Sequence, residues 1–261
     1  MVEGATGLVT SNHGLQMPSW VMGTAPALSE PLADKHTAVH HQERQSSGTV
    51  PDGDLAFGMK ALRSFALAIG IQGSTLSVLV LDHNNLGDAG VEVLAAGLER
   101  AASLKSVSLA YCGIGPAGAL RIAATMTGGQ APKYEALNLQ GNPLGGKGLE
   151  NLCEGVKLCP SLKSLNLSSI GVTDAEKAGV EALVKALAVN ASIIDVDFSS
   201  NDIGDRGCDL FVPLLAVAKH IKVLRLTPRV SRSLGKDIYD SVKLNSAKKS
   251  TGKKGTKKKK K

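Results

Sequence analysis

Apolar and polar positions follow one short pattern that recurs along the chain from Leu76 onward. An apolar residue is followed by a second one three positions later and a third after two more, and then by a turn. The copies start at Leu76, Leu104, Tyr134, Leu162, Ile193 and Ile221, at intervals of 28, 30, 28, 31 and 28 residues. A period of this length accommodates one strand and one helix per unit. The pattern therefore predicts a stack of six strand–helix units.

Each unit carries a different periodicity in its two halves. Alternation at Leu79 and Leu81 predicts a strand with one buried face, whereas the spacing of Val91, Leu94 and Leu98 predicts a helix. The buried faces of strand and helix must meet each other. Aromatic residues make up only 3% of the chain, against 43% hydrophobic residues, so the core is predicted to be aliphatic.

The turn after each strand has its own recurring residue, three positions beyond the last apolar residue of the strand. Such a turn leaves backbone donors and acceptors unpaired, and an Asn amide can satisfy both kinds. A structural ladder is therefore predicted, with weaker bonds from its Cys: Asn84, Cys112, Asn142 and Asn201. Ile170 occupies this position in the fourth copy, so that turn is predicted to be looser or to be satisfied differently.

These copies resemble the leucine-rich-repeat family, specifically its ribonuclease-inhibitor-like branch with long repeats. The resemblance covers about Leu76 to Leu226, roughly 60% of the chain. It implies an α/β fold, a right-handed βα solenoid with parallel strands on the concave face and helices on the convex face. It also implies that the ladder residues bond to neighbouring turns.

Both ends of such a stack need covers, because each unit contacts only its neighbours. Helical apolar spacing predicts a first helix over Asp54 to Gly70 and a last helix that buries four apolar residues, Leu234, Ile238, Val242 and Leu244. Residues 1–50 have no such period and are predicted to be an extended or disordered arm. The repeat domain is then 51–245, and 246–261 is a polylysine tail.

The net charge of +7 belongs to the tail. Nine of the 30 basic residues lie there without an acid, which leaves 21 basic and 23 acidic residues and a net charge of about −2 elsewhere. They are Lys248, Lys249, Lys253, Lys254, Lys257, Lys258, Lys259, Lys260 and Lys261. Lysines at this density predict salt-sensitive binding to a polyanion. No aromatic residue accompanies them for stacking on bases, which favours acidic tubulin tails over nucleic acid; a nuclear-localisation signal is an alternative.

The exposed strand positions predict a small, polar concave face that has few of the Trp, Tyr and Arg residues of interface hot spots. Its candidate binding residues are Tyr111, Asn138, Gln140, Asn166, Asp195, Asp197 and Arg225. Tyr111 and Arg225 stand out by their size. The alternative is that this face is simply a solvated sheet.

Gly113, Gly115 and Gly118 match a dinucleotide-binding glycine motif between a strand and a helix. The last two of these glycines recur in three other copies, so the repeat explains them better. Gln140 also stands where an acidic residue would end the next strand. No cofactor is predicted.

A second imitation comprises Gly141, Gly146 and Lys147, a near match to a phosphate loop. Gly148 stands where a hydroxyl would be needed for Mg²⁺. No Ser, His and Asp arrangement can be assembled from the turns. The chain is therefore predicted not to be an enzyme and not to bind a small-molecule substrate.

His36, His40 and His41 with Glu43 could place metal ligands on one side of a helix, but a solvated arm is the favoured interpretation and no metal site is predicted. The Cys spacing and the amino terminus lack the features of a secreted domain, which predicts a reduced, intracellular location. No apolar run approaches the roughly 18 residues of a membrane span.

These observations favour a non-catalytic scaffold or adaptor in a large intracellular assembly. A cytoplasmic, cytoskeletal setting such as a cilium or axoneme is the preferred location, with tubulin tails as the acidic partner and the nucleus as an alternative. A second hypothesis is a small-GTPase regulator of the Ran GTPase-activating type, for which Arg206 is the only arginine in a comparable turn. A third is a ribosome- or chromatin-associated factor.

Overall fold

The computed structural model describes residues 6–9, 52–71, 74–127, 133–227 and 229–247. The strands are β1 (Thr6–Val9), β2 (Leu76–Val80), β3 (Ser106–Ser108), β4 (Ala136–Asn138), β5 (Ser164–Asn166), β6 (Asp195–Asp197) and β7 (Val223–Arg225). The helices are α1 (Asp52–Ile69), α2 (Gly87–Leu98), α3 (Pro116–Thr125), α4 (Gly145–Leu158), α5 (Lys177–Val189), α6 (Asp205–Cys208), α7 (Phe211–Val217) and α8 (Arg232–Ser246).

The strands form one parallel sheet of seven strands in sequence order. The central apolar residue of every repeat is paired with the same residue of the next, so the sheet is in exact repeat register: Leu79, Val107, Leu137, Leu165, Val196 and Leu224. Helices cross over one face of the sheet between successive strands, in the right-handed sense of parallel crossovers. The predicted α/β repeat solenoid is confirmed.

One continuous core lies between the sheet and the helices. It is mainly aliphatic, and its largest buried side chains include Tyr134, Phe198 and Phe211. Helices approach closely where a side chain is missing, since a Cβ at Gly97 would lie 2.1 Å from the Ala66 carbonyl oxygen. The core is therefore built by small residues on the helices as well as by leucines.

The helix of the fifth repeat is divided into α6 and α7, which end at Cys208 and begin at Phe211. Pro213 lies in the first turn of α7, where its missing N–H and fixed backbone are tolerated. A proline further into a continuous helix would remove a hydrogen bond, so the division accommodates it.

At the first end of the stack, the bounds of α1 (Asp52–Ile69) differ from those of the predicted helix by two residues or fewer. This helix buries Leu62 and Ile69. Beyond it, β1 pairs in parallel with β2, with Leu8 opposite Leu79. This strand was not predicted, because four residues are too few to show a period. It lies within the segment 1–50 that was predicted to be an extended or disordered arm.

At the other end, α8 closes the stack, but the prediction that Leu244 is buried was wrong. Ile238 is buried, whereas Leu244 is 75% exposed and Asn245 is buried in its place. Helical spacing places residue 245, rather than 244, on the face of residues 238 and 242. The Asn245 amide donates to the carbonyl oxygens of Leu215 and Ala218, at 3.2 and 3.4 Å.

Candidate binding surfaces

The turns that follow the strands lie at the carboxyl-terminal edge of the sheet, and Asn142 binds two of them together. Its Oδ1 accepts hydrogen bonds from the backbone N–H groups of Cys112 and Ile114, both at 3.0 Å. Its Nδ2 donates to the carbonyl oxygens of Leu109 and Leu139, both at 2.8 Å. One buried amide therefore serves the backbone of two successive repeats.

Asn201 repeats this arrangement between the fourth and fifth repeats. Its Oδ1 accepts from the N–H groups of Ile170 and Val172, at 3.1 and 3.3 Å, and its Nδ2 donates to the Leu167 and Phe198 carbonyls, both at 3.0 Å. The fourth turn lacks an Asn of its own, yet the following repeat provides its acceptor.

The turns of the first and third repeats close in another way, because the next repeat has Cys112 or Ile170 in place of the Asn. Cys112 Sγ can donate to the Leu81 carbonyl, at 3.1 Å, but it supplies no amide oxygen. The N–H of Leu86 instead donates to the Asn84 carbonyl of the same turn, at 2.9 Å, and that of Leu144 donates to the Asn142 carbonyl, at 2.8 Å. A turn without a side-chain amide from the next repeat therefore bonds within itself and also through its backbone to that repeat, since the Gly87 N–H donates to the Cys112 carbonyl and the Gly145 N–H to the Ile170 carbonyl, both at 2.9 Å. Asn84 donates to the Leu81 carbonyl of its own repeat, at 2.8 Å.

A second asparagine contact lies at the opposite edge and was missed from the sequence. Asn190, directly after α5, donates to the carbonyl oxygens of Val156 and Cys159 of the preceding helix end, at 2.7 and 2.8 Å. Asn245 makes the equivalent contact at the end of α8. An Asn directly after the last apolar helical residue is the available signal, but too few repeats carry it to form a visible pattern.

Carboxylates at the carboxyl-terminal edge bind the glycine turns. Asp88 Oδ1 accepts from the N–H groups of Gly115 and Gly118, at 2.7 and 2.8 Å, and Glu176 Oε1 accepts from Gly146 N–H, at 2.7 Å. These are amides of the two segments that imitate nucleotide-binding motifs. A phosphate would have to displace a carboxylate of the chain itself to reach them.

The concave sheet face is crossed by hydrogen bonds between side chains of neighbouring strands. Asn138 Nδ2 donates to Ser108 Oγ, at 2.9 Å, and Asn166 Nδ2 donates to Gln140 Oε1, at 3.4 Å. Ser108 itself donates to the buried Asp82 carboxylate, at 2.6 Å. Several positions that alternate with the buried strand residues, and are therefore predicted to be exposed, are buried between their neighbours because strands lie only about 4.8 Å apart: Val80, Asp82, Ser108, Ala110, Ala136, Ser168 and Thr227.

Tyr111 lies in the turn after β3, at the carboxyl-terminal rim of this face. Its ring stacks on His83, with centroids 4.8 Å apart, and its hydroxyl accepts from Gln140 Nε2, at 3.0 Å. Both stacked residues have positive φ, 55° and 61°, in the left-handed region that side chains usually avoid. Gly141 gives the ring room, since a Cβ there would lie 2.2 Å from it. The ring is therefore an exposed but fixed aromatic surface.

Arg225 forms an acidic and basic cluster at the far end of the concave face. Its guanidinium lies 2.8 Å from Asp195 and 3.8 Å from Asp197, in the adjacent strand. The seven candidate concave residues therefore fall into two groups, one around Tyr111 and one around Arg225. Arg206 is exposed in α6, on the helical side of the fifth repeat.

Among the exposed apolar side chains of the helical face, Leu120 on α3 and Leu158 on α4 are 55% and 65% exposed. They lie beside an open groove of about 370 Å³ between these helices. This face is a second surface that a protein partner could contact.

All four cysteines of the chain are buried and free. Burial raises the pKa of the Cys112, Cys153 and Cys208 thiols to about 12. These three thiols are protonated at neutral pH, and a thiol is a much weaker nucleophile than a thiolate.

The polylysine tail and the histidines at positions 36, 40 and 41 lie outside the described residues. Within the described ranges, no three His, Cys, Asp or Glu side chains gather as a metal site would require. In the same part of the chain, no helix combines the length and the apolar character needed to cross a bilayer.

Comparison with known proteins agrees with the strand–helix repeat. The leucine-rich-repeat family model matches residues 74–95, 101–123, 135–153 and 189–212. Ribonuclease inhibitor of Sus scrofa is 34% identical over 156 residues, 58% of this chain and 33% of that protein. The Mus musculus ribonuclease inhibitor is 32% identical over 54% of this chain and 30% of its own length.

A further relative and a solved structure are similar to parts of this chain. The NACHT, LRR and PYD domains-containing protein 12 of Mus musculus is 31% identical over 56% of this chain and 14% of that protein. A solved Caenorhabditis elegans tropomodulin C-terminal domain has a TM-score of 0.42 and 15% identity, and covers 70% of this chain and 92% of that one. The chain spans a third or less of the length of these curated relatives.

The fold and its turns define a repeat solenoid with a polar sheet face. The chain belongs to the leucine-rich-repeat proteins, in the ribonuclease-inhibitor-like branch. The resemblance stated from the sequence is confirmed.

Proposed function

We propose that this chain is a non-catalytic protein-interaction scaffold or adaptor in a large intracellular assembly. The observation that carries the proposal is the continuous sheet face, where the Tyr111 group and the Arg225 group are held by their own hydrogen bonds. A partner that meets such a face does not have to order these side chains, which lowers the entropic cost of binding.

We further propose that the polylysine tail contacts acidic proteins of the cytoskeleton, with the carboxyl tails of tubulin as the favoured partner and a cilium or axoneme as the setting. The support is the concentration of nine lysines without an acid in residues 248–261, beside a body with a slightly negative charge. Attraction of this kind is strong at low salt and screened at high salt.

Microtubule co-sedimentation tests the tail. The full chain should sediment with microtubules at low salt, and a full-length variant with all nine tail lysines changed to Gln should lose most of that binding. Microtubules whose acidic tails have been removed by proteolysis are the matched control. Equal sedimentation of the two chains, or equal binding to both kinds of microtubule, would remove tubulin tails as the partner. Sedimentation from extracts that is lost on nuclease treatment would instead favour a ribosome or chromatin partner.

The concave face is tested by Tyr111→Ala with Asp197→Lys, one change in each group. Proximity labelling in cells should lose the partners of the wild-type chain, whereas Lys185→Gln on the exposed side of α5 should leave them unchanged. An unchanged set of labelled proteins in the double variant would shift the contact to the helical face.

A further inference from the structure

The amino-terminal edge of the sheet carries a row of residues that neither the repeat pattern nor the proposed function explains. Five residues stand directly before successive strands: Lys105, Glu135, Lys163, Ile194 and Lys222. Their backbones form a continuous hydrogen-bonded line, in which each N–H donates to the preceding member of the row at 2.6 to 2.8 Å. We call these five residues the basic row.

An open groove of about 700 Å³ lies along the basic row. Pro160, Ala191 and Ile194 contribute apolar surface to it, while Lys133 and His220 stand at its margins. Ile194 is 43% exposed and offers an apolar contact within this groove. The groove therefore combines an apolar part with several ammonium groups.

One carboxylate organises the charges of the row. Glu135 lies 2.5 Å from Lys163 Nζ and 3.6 Å from Lys105 Nζ, and the hydrogen bond from Lys163 holds its pKa below the usual value. The side chains of Lys105 and Lys163 remain 62% and 51% exposed, respectively. Lys222 is anchored by hydrogen bonds from its Nζ to the carbonyls of Lys219 and Asn245. With Lys133, four lysines face one acid at this groove.

The spacing of the lysines matches an extended peptide. Adjacent strands lie about 4.8 Å apart, so the backbones of Lys105, Lys163 and Lys222, which precede alternate strands, are about 10 Å apart. A peptide in the polyproline II conformation turns once in three residues and rises about 3.1 Å per residue. Every third side chain therefore faces the same way, with a spacing of about 9 Å.

We propose that the basic row binds an acidic protein segment in an extended conformation, with acidic residues at every third position and an apolar side chain against Ile194. Charge complementarity with the three row lysines selects the acids, and the apolar part of the groove selects the side chain between the second and third acid. Nucleic acid fits less well, because Glu135 interrupts the row and no Phe, Tyr or Trp is among the residues that line the groove.

The described part of the chain ends beside the basic row. Ser246 Oγ donates to the Lys222 carbonyl, at 2.6 Å, so α8 ends beside the row. The lysines that follow have the same sign as the row and would be repelled from it. An acidic partner is therefore attracted by both the tail lysines and the row lysines. We expect only the groove to discriminate between peptides by the spacing of their acidic residues.

A synthetic peptide distinguishes these contributions. The probe is a fluorescein-labelled Glu-Ser-Pro-Glu-Leu-Pro-Glu peptide, and its binding is measured by fluorescence anisotropy at low ionic strength. A peptide of the same composition with its three Glu residues adjacent is the matched control. Both are titrated with the full chain and with the full-length variant that carries nine Gln residues in the tail.

The spaced peptide should bind about tenfold more tightly than the control peptide, and the tail variant should keep this preference. Lys105→Gln with Lys163→Gln should weaken binding about tenfold, whereas Lys185→Gln should have no effect. Glu135→Gln should strengthen binding, a gain that damage to the fold would not produce.

Three results would overturn the inference. They are equal affinity for both peptides, complete loss of peptide binding when only the tail lysines are changed to Gln, and tighter binding of single-stranded DNA than of the peptide. The proposed contact between tail and microtubules is measured separately, so either proposal can fail without the other.

Discussion

The two edges of the sheet use their polar residues in different ways. At the carboxyl-terminal edge, Asn142 and Asp88 bind backbone groups of a neighbouring repeat. At the amino-terminal edge, Lys105 and Lys163 extend into solvent and form ion pairs with Glu135. Both edges have joints between repeats, since Asn190 and Asn245 bond to the preceding repeat at the second edge, but the second edge also has charges available to a partner. A polar residue that recurs in a repeat is informative about function only once its bonds within the fold are known.

The largest expected effect on stability is that of a substitution at Asn142, on the carboxyl-terminal edge. Asn142→Leu leaves the N–H groups of Cys112 and Ile114 and the Leu109 carbonyl without this side-chain partner, so we expect a loss of about 3 kcal/mol in the free energy of unfolding. Urea unfolding followed by circular dichroism measures it. Lys185→Gln, on the exposed side of α5, should change stability by less than about 0.5 kcal/mol. A Leu variant as stable as its control would show that Asn142 is not a joint.

A smaller effect is expected at Asp88. Asp88→Ala removes a carboxylate that caps the start of α3 from the preceding repeat, and loss of a helix cap costs about 1 to 2 kcal/mol. Glu154→Ala on the exposed face of α4 is the control, since its i,i+3 pair with Lys157 is worth little. Thermal unfolding of the two variants should separate them. Equal midpoints would mean that the amides of Gly115 and Gly118 are served equally well by water.

The smallest effect on stability is expected at the basic row. Glu135→Gln should cost less than about 1 kcal/mol near neutral pH, because its ion pairs are partly exposed. The folded-state pKa of Glu135 is lowered from the ordinary value of 4.5, chiefly by Lys163. Its stabilisation is therefore present above pH 4.5 and is lost as the pH falls below that value through the lowered pKa.

Stability of wild type and Glu135→Gln should consequently converge in acid. Urea unfolding between neutral pH and acid, below the lowered pKa, checks this convergence. Lys185→Gln should show no such pH dependence relative to wild type. A constant difference between wild type and Glu135→Gln across that range would mean that the ion pairs do not stabilise the folded state.

Much of the fold followed from spacing alone, because the leucines of strand and helix recur in every unit. Leu244 shows the limit of that reasoning, since an apolar residue at the end of a helix need not lie on its inner face. Asn190 was missed because its partners are the Val156 and Cys159 carbonyls of another repeat. Ile170 was recognised as a departure, but the donor groups of its turn are satisfied by Asn201, 31 positions further on.

The sequence by itself determined the repeat, its register and the separation of the charged tail from a nearly neutral body, because periodic burial and charge are properties of residue order. Only the tertiary structure decided that Asp88 occupies the amides of the glycine motif and that lysines from separate repeats form one row with Ile194. Both arrangements depend on residues about 30 positions apart in the sequence, which the stacking of repeats brings to the spacing of adjacent strands. A local sequence pattern does not show which of these residues will be neighbours.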